Sequence, residues 1–345
     1  MTWFEVFYGR GTTMNNSSED ASSAVSVVTI VKEGNAPQVL RSLCAQSLEQ
    51  PFEIIVATGG NRSEARNAGI VSSKASLVAF IDSDCEAPPD WLRKLTTTLP
   101  ESTQFVGLGG VSLSKKPVTS LQAAIDGVFS TYLGNLGSPS LISVPKAHKK
   151  FVSSLSGHNC IYKKSALNGV GGFDTRFELN EDTDLASRLR AKGYSLVLDE
   201  SIFVHHERRK SFAAFVRQFF HYGRGRMRSM LTTVRLVDFK ILALLFFLLL
   251  TAAAAFHTPI VALVGFAIYL LIVFWCSLRA AMRVGDAKIL PLIISLLIVE
   301  HFAYAVGLLA GFFSGPWVKS KTEANHILLE RHFVTHFDKT GEDLP

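Results

Sequence analysis

Three long apolar segments in the last third of the chain constrain its fold more than any other feature. They cover residues 239–256, 259–278 and 289–313. Each approaches or exceeds the ~20 residues that a helix needs to cross a lipid bilayer, and three such runs in succession are rare in soluble domains. We therefore expect three transmembrane helices within residues 237–314. Only His257 and Thr258 separate the first two segments, which predicts a helical hairpin.

Basic residues flank these segments. The chain carries 35 Lys and Arg against 29 Asp and Glu, a formal net charge of +6. Because cytoplasmic loops beside membrane helices are enriched in Lys and Arg, we expect the chain before the segments to be cytoplasmic. Three crossings would place the tail, residues 315–345, on the opposite side. The basic residues favour an anionic lipid surface, and no pattern in the sequence indicates nucleic-acid binding.

Strand and helix patterns alternate before the apolar segments. The predicted strands cover residues 25–31, 53–57, 77–81 and 105–111, and the predicted helices between the first three cover 38–46 and 63–73. This order predicts an α/β domain with a parallel sheet and right-handed crossovers. The predicted regions are a disordered tail (1–23), the α/β domain (24–210), an interface helix with a basic linker (211–236), the apolar segments (237–314) and a C-terminal tail (315–345).

Two carboxylates, Asp82 and Asp84, directly follow the third predicted strand. Ligands of open α/β sheets collect at the C-terminal ends of strands. Paired carboxylates there suit a hard divalent cation that also contacts phosphate. The alternative is a solvated acidic turn, because this spacing is common.

A second acidic cluster, Glu181 and Asp182, begins a predicted helix later in the chain. Carboxylates in a first turn also stabilise a helix by themselves, so capping is the alternative to a chemical role. Further polar groups surround this cluster in sequence. They are His158 and Asn159 before a short strand, and His205 and His206 at the end of an extended segment. A structural role and a ligand role are both open for the two adjacent histidines.

An amphipathic pattern occupies residues 211–222. Its apolar members recur at helical spacing, and they are Phe212, Phe215, Val216, Phe219 and Phe220. Arg217 and Gln218 lie on the other face of such a helix. We interpret the segment as a helix in the membrane interface, and a helix packed on the core of the α/β domain is the alternative.

The order of these motifs resembles that of a family 2 glycosyltransferase. The motifs are the first strand, Ala65-Arg66-Asn67-Ala68-Gly69, Asp82-Ser83-Asp84, Gly172-Phe173-Asp174, Glu181-Asp182-x-Asp184 and Arg217-Gln218-x-x-x-Tyr222-Gly223-Arg224. The resemblance spans about residues 25–226, and the apolar C-terminus is similar to that of membrane-anchored members. It implies a Rossmann-like GT-A domain followed by an α-helical transmembrane region.

The resemblance also implies a reaction. A sugar would pass from a UDP- or GDP-sugar, with inversion, to a polyprenyl-phosphate-linked or glycan acceptor at the cytoplasmic membrane face. Asp182 would be the base, oriented by Glu181. Mg²⁺ or Mn²⁺ would be held by Asp84 and His205, with His206 as the alternative to His205. A processive polysaccharide synthase and a non-catalytic nucleotide-sugar binding protein remain alternatives.

The remaining assignments also follow from the resemblance. On the nucleotide-sugar side they are Glu33, Thr58, Arg66, Asn67, Asp82 and Asp84, with Arg217, Gln218 and Arg224 near the diphosphate or the acceptor headgroup. His158 and Asn159 would lie on the acceptor side. Two departures from the family pattern leave the nucleotide base open. Thr58 stands where the family usually has Asp, and the segment from Thr58 to Arg66 is short.

Overall fold

The structure, a computed structural model, describes residues 23–31, 37–115, 117, 119–135, 148–177, 179–232, 246–247, 250–251, 253, 257–314 and 327–334. The strands are β1 (Ser26–Val31), β2 (Phe52–Thr58), β3 (Leu77–Asp82), β4 (Cys85–Glu86), β5 (Phe105–Ser114), β6 (Lys149–Val152), β7 (Asn159–Lys163), β8 (Ser195–His206) and β9 (Leu328–Val334). The helices are α1 (Pro37–Cys44), α2 (Arg62–Ser72), α3 (Trp91–Thr98), α4 (Ser120–Phe129), α5 (Lys164–Gly169), α6 (Glu181–Ala191), α7 (Phe212–Thr232), α8 (Pro259–Val284) and α9 (Leu290–Ser314).

The strands form one mixed sheet in the order β4-β8-β5-β7-β3-β1-β2-β9, with β6 beside β8. Strands β2, β1 and β3 are parallel neighbours, as their alternation with helices predicts. Apolar side chains on these strands are fully buried and form the core against α1 and α3. Because Asp82 pairs with Ile30 at the end of β3, its carboxylate lies at the C-terminal edge of the parallel strands.

The chain separates into two compact units. The first, which we call the sheet unit, contains the sheet, including β9. The second, the helical unit, contains α4, α7, α8 and α9. The predicted boundaries differ from this division, because α4 falls within the predicted α/β domain and β9 within the predicted tail. In the helical unit, Phe215 and Phe219 of the predicted amphipathic stripe are buried with residues of α8 and α9.

Two helices are long and apolar enough to cross a membrane. They are α8 (Pro259–Val284) and α9 together with the turn that precedes it (Ala287–Ser314). The predicted segment 239–256 lies largely outside the described residues, as do Glu33 and most of the predicted C-terminal tail.

Strand β9 corrects the predicted topology of the C-terminus. It runs antiparallel to β2 with His332 opposite Ile54, and Arg331 Nε lies 3.2 Å from the buried Glu53 carboxylate. A strand that is hydrogen-bonded to β2 lies on the same side of any membrane as β2. The expectation that three crossings leave the tail on the far side is therefore wrong for residues 328–334.

Candidate active site

Arg66, on α2, is the centre of a buried charge cluster. Its Nη1 donates to Glu181 at 2.6 Å and its Nη2 donates to Asp82 at 3.0 Å. The same Nη2 donates to the Gly157 carbonyl at 3.1 Å, and the guanidinium lies 5.3 Å from the centre of the Phe173 ring. The side chain therefore joins the end of β3 to the start of α6.

Electrostatics keep this guanidinium charged. Burial alone would lower the pKa of Arg66, but the surrounding carboxylates, Asp82 first, outweigh it and hold the pKa above its usual value. Since the donors of Arg66 are directed at protein acceptors, its geometry favours a positioning role over the predicted contact with the nucleotide-sugar.

Asp182 stands beside this cluster in the first turn of α6. Asn180 precedes the helix with φ of 64°, a left-handed conformation that Asn tolerates better than most residues. The turn buries Glu181 and leaves Asp182 half-buried. Thr183 N donates to Asp182 Oδ1 at 2.7 Å, and Gly157 N lies 3.4 Å from Asp182 Oδ2. The carboxylate is thus oriented and accessible, as a proton acceptor must be.

Asp84 lies beside His206, not beside His205. Strands β4 and β8 pair with Cys85 opposite His206 and Glu86 opposite His205. His206 Nε2 is 3.4 Å from Asp84 Oδ1, and one ligand atom each of Asp84, Cys85 and His206 lie within 4.8 Å of one another. His205 instead contacts the Phe203 ring edge-on, with ring centres 5.4 Å apart. Consecutive side chains of a strand point to opposite faces, which separates the two histidines.

His158 lies next to this group. Its ring is 5.3 Å from that of His206, and its two nitrogens are hydrogen-bonded to the hydroxyls of Ser112 and Ser156. Burial, together with the charge of His206, lowers the pKa of His158 to about 4. The imidazole is therefore neutral at neutral pH and held by two hydroxyls.

The two predicted asparagines are engaged within the protein. Asn67 bonds the backbone of Phe173 twice, with each distance 2.7 Å. Asn159 is fully buried; it accepts from Trp91 Nε1 at 2.8 Å and donates to the Val111 carbonyl at 2.9 Å. This geometry is typical of structural amides and gives no support to nucleotide or acceptor contact.

The other predicted residues lie on different elements. Thr58 ends β2 beside Val31 of β1 and is half-buried. Arg217, Gln218 and Arg224 are on α7 in the helical unit. Gln218 accepts from Arg209 at 3.0 Å and donates to Tyr222 at 2.8 Å. Their contact with a diphosphate or an acceptor stays a prediction.

The sequence reasoning missed the hydroxyls that hold His158 and the link from Arg66 to Glu181. Ser112 and Ser156 lie in unrelated segments, and no spacing rule joins them to a histidine. The separation of His205 from His206 could have been inferred from strand alternation, but which of them faces Asp84 depends on the register of β8.

Known proteins resemble this chain in sequence. A pre-mycofactocin glycosyltransferase of Mycobacterium tuberculosis (strain ATCC 25618 / H37Rv) is 30% identical over 162 residues, which are 46% of this chain and 33% of the relative. The succinoglycan biosynthesis protein ExoA of Rhizobium meliloti (strain 1021) is 38% identical over 76 residues, which are 22% and 23% of the two chains. The chain thus spans a third or less of the length of these relatives.

A solved structure and two families also match. The mannosyltransferase PcManGT from Pyrobaculum calidifontis, in complex with GDP-Man and Mn²⁺, has a TM-score of 0.50 and 16% identity, covering 84% of this chain and 87% of that one. At this identity the match confirms the predicted GT-A fold and no more. Glycosyl transferase family 2 matches residues 32–112, and glycosyl transferase family group 2 matches residues 77–284. Because the second match covers more than half of the sequence, the chain belongs to glycosyl transferase family group 2.

Proposed function

We propose that this chain is a membrane-bound enzyme that transfers a sugar, with inversion, from a UDP- or GDP-sugar to a lipid-linked or glycan acceptor at the cytoplasmic membrane face. The observation that carries the proposal is the convergence on Arg66 of Asp82 from β3 and Glu181 from α6. This convergence brings the two acidic motifs to one edge of the sheet, where the accessible Asp182 completes the group.

Asp182 is the proposed base. It takes the proton of an acceptor hydroxyl while that oxygen forms a bond to the anomeric carbon and the bond to the diphosphate breaks. Attack opposite the leaving group inverts the anomeric carbon. Arg66 fixes Glu181, and this fixes the helix turn from which Asp182 projects. Asp82, on the other side of Arg66, is the proposed nucleoside contact.

Asp84 and His206 fit a divalent cation. A carboxylate and an imidazole with close ligand atoms suit Mn²⁺, whereas Mg²⁺ prefers oxygen ligands throughout. The Mn²⁺ bound to the mannosyltransferase of similar fold supports this choice. When bound, such an ion neutralises charge on a departing diphosphate. We therefore propose His206, in place of His205, as the imidazole ligand.

The first experiment replaces the base. Asp182→Asn should lower sugar transfer by ~10²–10⁴-fold, the usual contribution of a positioned base. Stabilisation of the protein by UDP or GDP with Mn²⁺ should not change, because Asp182 is assigned no donor contact. Asp90→Asn is the matched control, since this carboxylate pairs with Lys94 on α3 at 2.8 Å.

The outcome of that experiment distinguishes the alternatives. Retention of transfer by Asp182→Asn would overturn the assignment of the base. Metal-dependent nucleotide binding without transfer by the natural chain, across donors and acceptors, would favour a non-catalytic binding protein. A ladder of products of increasing length would favour a processive synthase.

The second experiment tests the metal ligand. In His206→Ala, the Mn²⁺ concentration needed for stabilisation by the nucleotide should rise about tenfold or more, as for other losses around a metal centre. His205→Ala is the matched control and should titrate like the natural chain, because its side chain points away from Asp84. If the required Mn²⁺ concentration rose only in His205→Ala, His205 would be the ligand, as assigned from the sequence.

A further inference from the structure

The turn that leads into β7, residues 156–159, contacts both the proposed base and the proposed metal ligand. Gly157 N lies 3.4 Å from Asp182 Oδ2. The ring centre of the next residue, His158, is 5.3 Å from that of His206. Consecutive residues of one turn are therefore neighbours of the group that would take the proton and of the group that would bind the ion.

The backbone on both sides of His158 is fixed by buried contacts. The Gly157 carbonyl accepts from Arg66 at 3.1 Å, and a Cβ atom added at Gly157 would lie 2.9 Å from the guanidinium. Asn159, the first residue of β7, is fully buried and accepts from Trp91 Nε1 at 2.8 Å. The side chain of His158 therefore starts from a backbone position that has little freedom.

Two serine hydroxyls hold the imidazole of His158. Ser156 Oγ lies 2.7 Å from its Nδ1, and Ser112 Oγ is hydrogen-bonded to its Nε2. Ser112 belongs to β5 and is 1% exposed, so this partner is itself fixed in the sheet. A hydroxyl can donate or accept, so the two serines satisfy either neutral tautomer of the ring. Because both ring nitrogens have partners in the protein, His158 is placed to orient a neighbour and not to bind an ion itself.

The neighbour that His158 contacts is the imidazole of His206. The ring centres are 5.3 Å apart and the planes are inclined at 43°, which is within the ~4.5–7 Å at which aromatic rings attract one another. His206 is the last residue of β8, and its partner strand β4 has two residues. Strand pairing therefore supports it less than a residue in the middle of a strand. Contact with a held ring supplies this support and keeps His206 Nε2 directed at Asp84 Oδ1, 3.4 Å away.

The charges around His158 place it at the centre of the candidate site. The charged side chains that act most strongly on its ring are those of His206, Asp82, Asp84 and Asp182. These are the proposed metal ligands, the proposed nucleoside contact and the proposed base. A change at His158 is therefore expected to affect the site and not the remote parts of the sheet.

We infer that His158 is a positioning residue for the metal ligand His206. The hydroxyls of Ser112 and Ser156 hold its ring, and this ring holds the imidazole of His206 toward Asp84. The inference deepens the proposed function and rests on its metal site. It gives His158 a role on the metal side, in place of the acceptor side that the sequence predicts.

Binding of Mn²⁺ tests this role without any measurement of transfer. Free Mn²⁺ has a characteristic electron paramagnetic resonance signal, so titration of the detergent-solubilised full chain with Mn²⁺ yields a dissociation constant. His158→Ala should raise that constant ~10–100-fold, as for other residues that orient a metal-binding histidine. His332→Ala is the matched control and should leave it unchanged. His332 is also largely buried, but it lies on β9, at the opposite edge of the sheet from β4.

A double-mutant cycle shows whether His158 acts through His206. In the His206→Ala background, His158→Ala should change the dissociation constant by no more than ~2-fold, the usual margin of additivity, because the ligand that it orients is gone. A general loosening of the site would instead weaken Mn²⁺ binding in both backgrounds, since Asp84 would also be displaced. An effect of equal size in the two backgrounds would overturn the inference.

Ser112→Ala covers the case in which His158→Ala does not fold. It removes one hydroxyl that holds the ring and keeps the ring itself. The dissociation constant of Mn²⁺ should rise ~2–10-fold, the equivalent of one hydrogen bond. A folded Ser112→Ala that binds Mn²⁺ like the natural chain would contradict the role of the hydroxyl in holding His158.

Failure of the inference differs from failure of the proposed function. If His206→Ala weakens Mn²⁺ binding and His158→Ala does not, the metal site stands and the positioning role is wrong. If neither variant weakens it, or if the natural chain does not bind Mn²⁺, the metal site of the proposed function is itself wrong.

Discussion

Arg66 in the sheet unit and Glu300 in the helical unit are equally hidden from solvent but held in opposite ways. Their exposed fractions are 2% and 0%. Arg66 has two carboxylates and a carbonyl as partners. Neither oxygen of Glu300 has a hydrogen-bond partner among the described residues. The comparison shows that the contribution of a buried charged side chain to stability depends on its partners and cannot be judged from burial alone.

The two units accordingly depend on different interactions. In the sheet unit, one guanidinium joins segments that are 115 residues apart in sequence. In the helical unit, α7 and α9 associate through glycines that admit the facing backbone. Removing one partner of a buried ion pair is expensive because the other charge stays buried and unpaired. Removing a buried group that has no partner leaves no unpaired charge behind.

The largest expected effect is that of Arg66→Met, which keeps an apolar side chain of similar length. It should lower the free energy of unfolding by ~3–5 kcal/mol, because Asp82 and Glu181 would remain close together without a counter-charge. Denaturant unfolding of the purified chain measures this. Donor-dependent transfer should fall as well, since the start of α6 loses its anchor.

Arg176→Met is the matched control for that variant. Arg176 forms a 2.6 Å ion pair with Asp174, but its side chain is 62% exposed. An exposed pair contributes ~0–1 kcal/mol, so this variant should unfold almost like the natural chain. Equal losses in the two variants would contradict the role given to burial here.

The sequence predicts the part of the sheet unit that depends on local pattern. Apolar, β-branched runs alternate with helical spacing, and the three parallel strands follow from that order. The position of Asp82 and Asp84 at the end of β3 could be predicted, because the apolar run of the strand stops where these polar residues begin. The second motif, Glu181 and Asp182, is identified through the resemblance to family 2 glycosyltransferases, because its local pattern is equally that of a capped helix.

Pairing between distant segments could not be predicted in the same way. The partner of Arg66 is set by how α2 and α6 pack, which no local pattern encodes. The choice of His206 over His205 is set by the register of β8 on β4. The pairing of β9 with β2 could not be predicted, because its seven residues follow a long apolar region and have no pattern that identifies their partner strand.

The smallest expected effect is that of Glu300→Leu, the counterpart of Arg66→Met. Leu removes both carboxyl oxygens with little change in volume. A buried polar group without a hydrogen bond costs ~1–3 kcal/mol, so its replacement by an apolar residue should be neutral or stabilising. The detergent-solubilised chain should therefore keep or raise its midpoint of thermal unfolding. A fall as large as that of Arg66→Met would show that the carboxyl is bound by a group beyond the described residues. In that case the contrast between a charge-paired sheet unit and a glycine-packed helical unit would fail, because both units would depend on a buried ion pair.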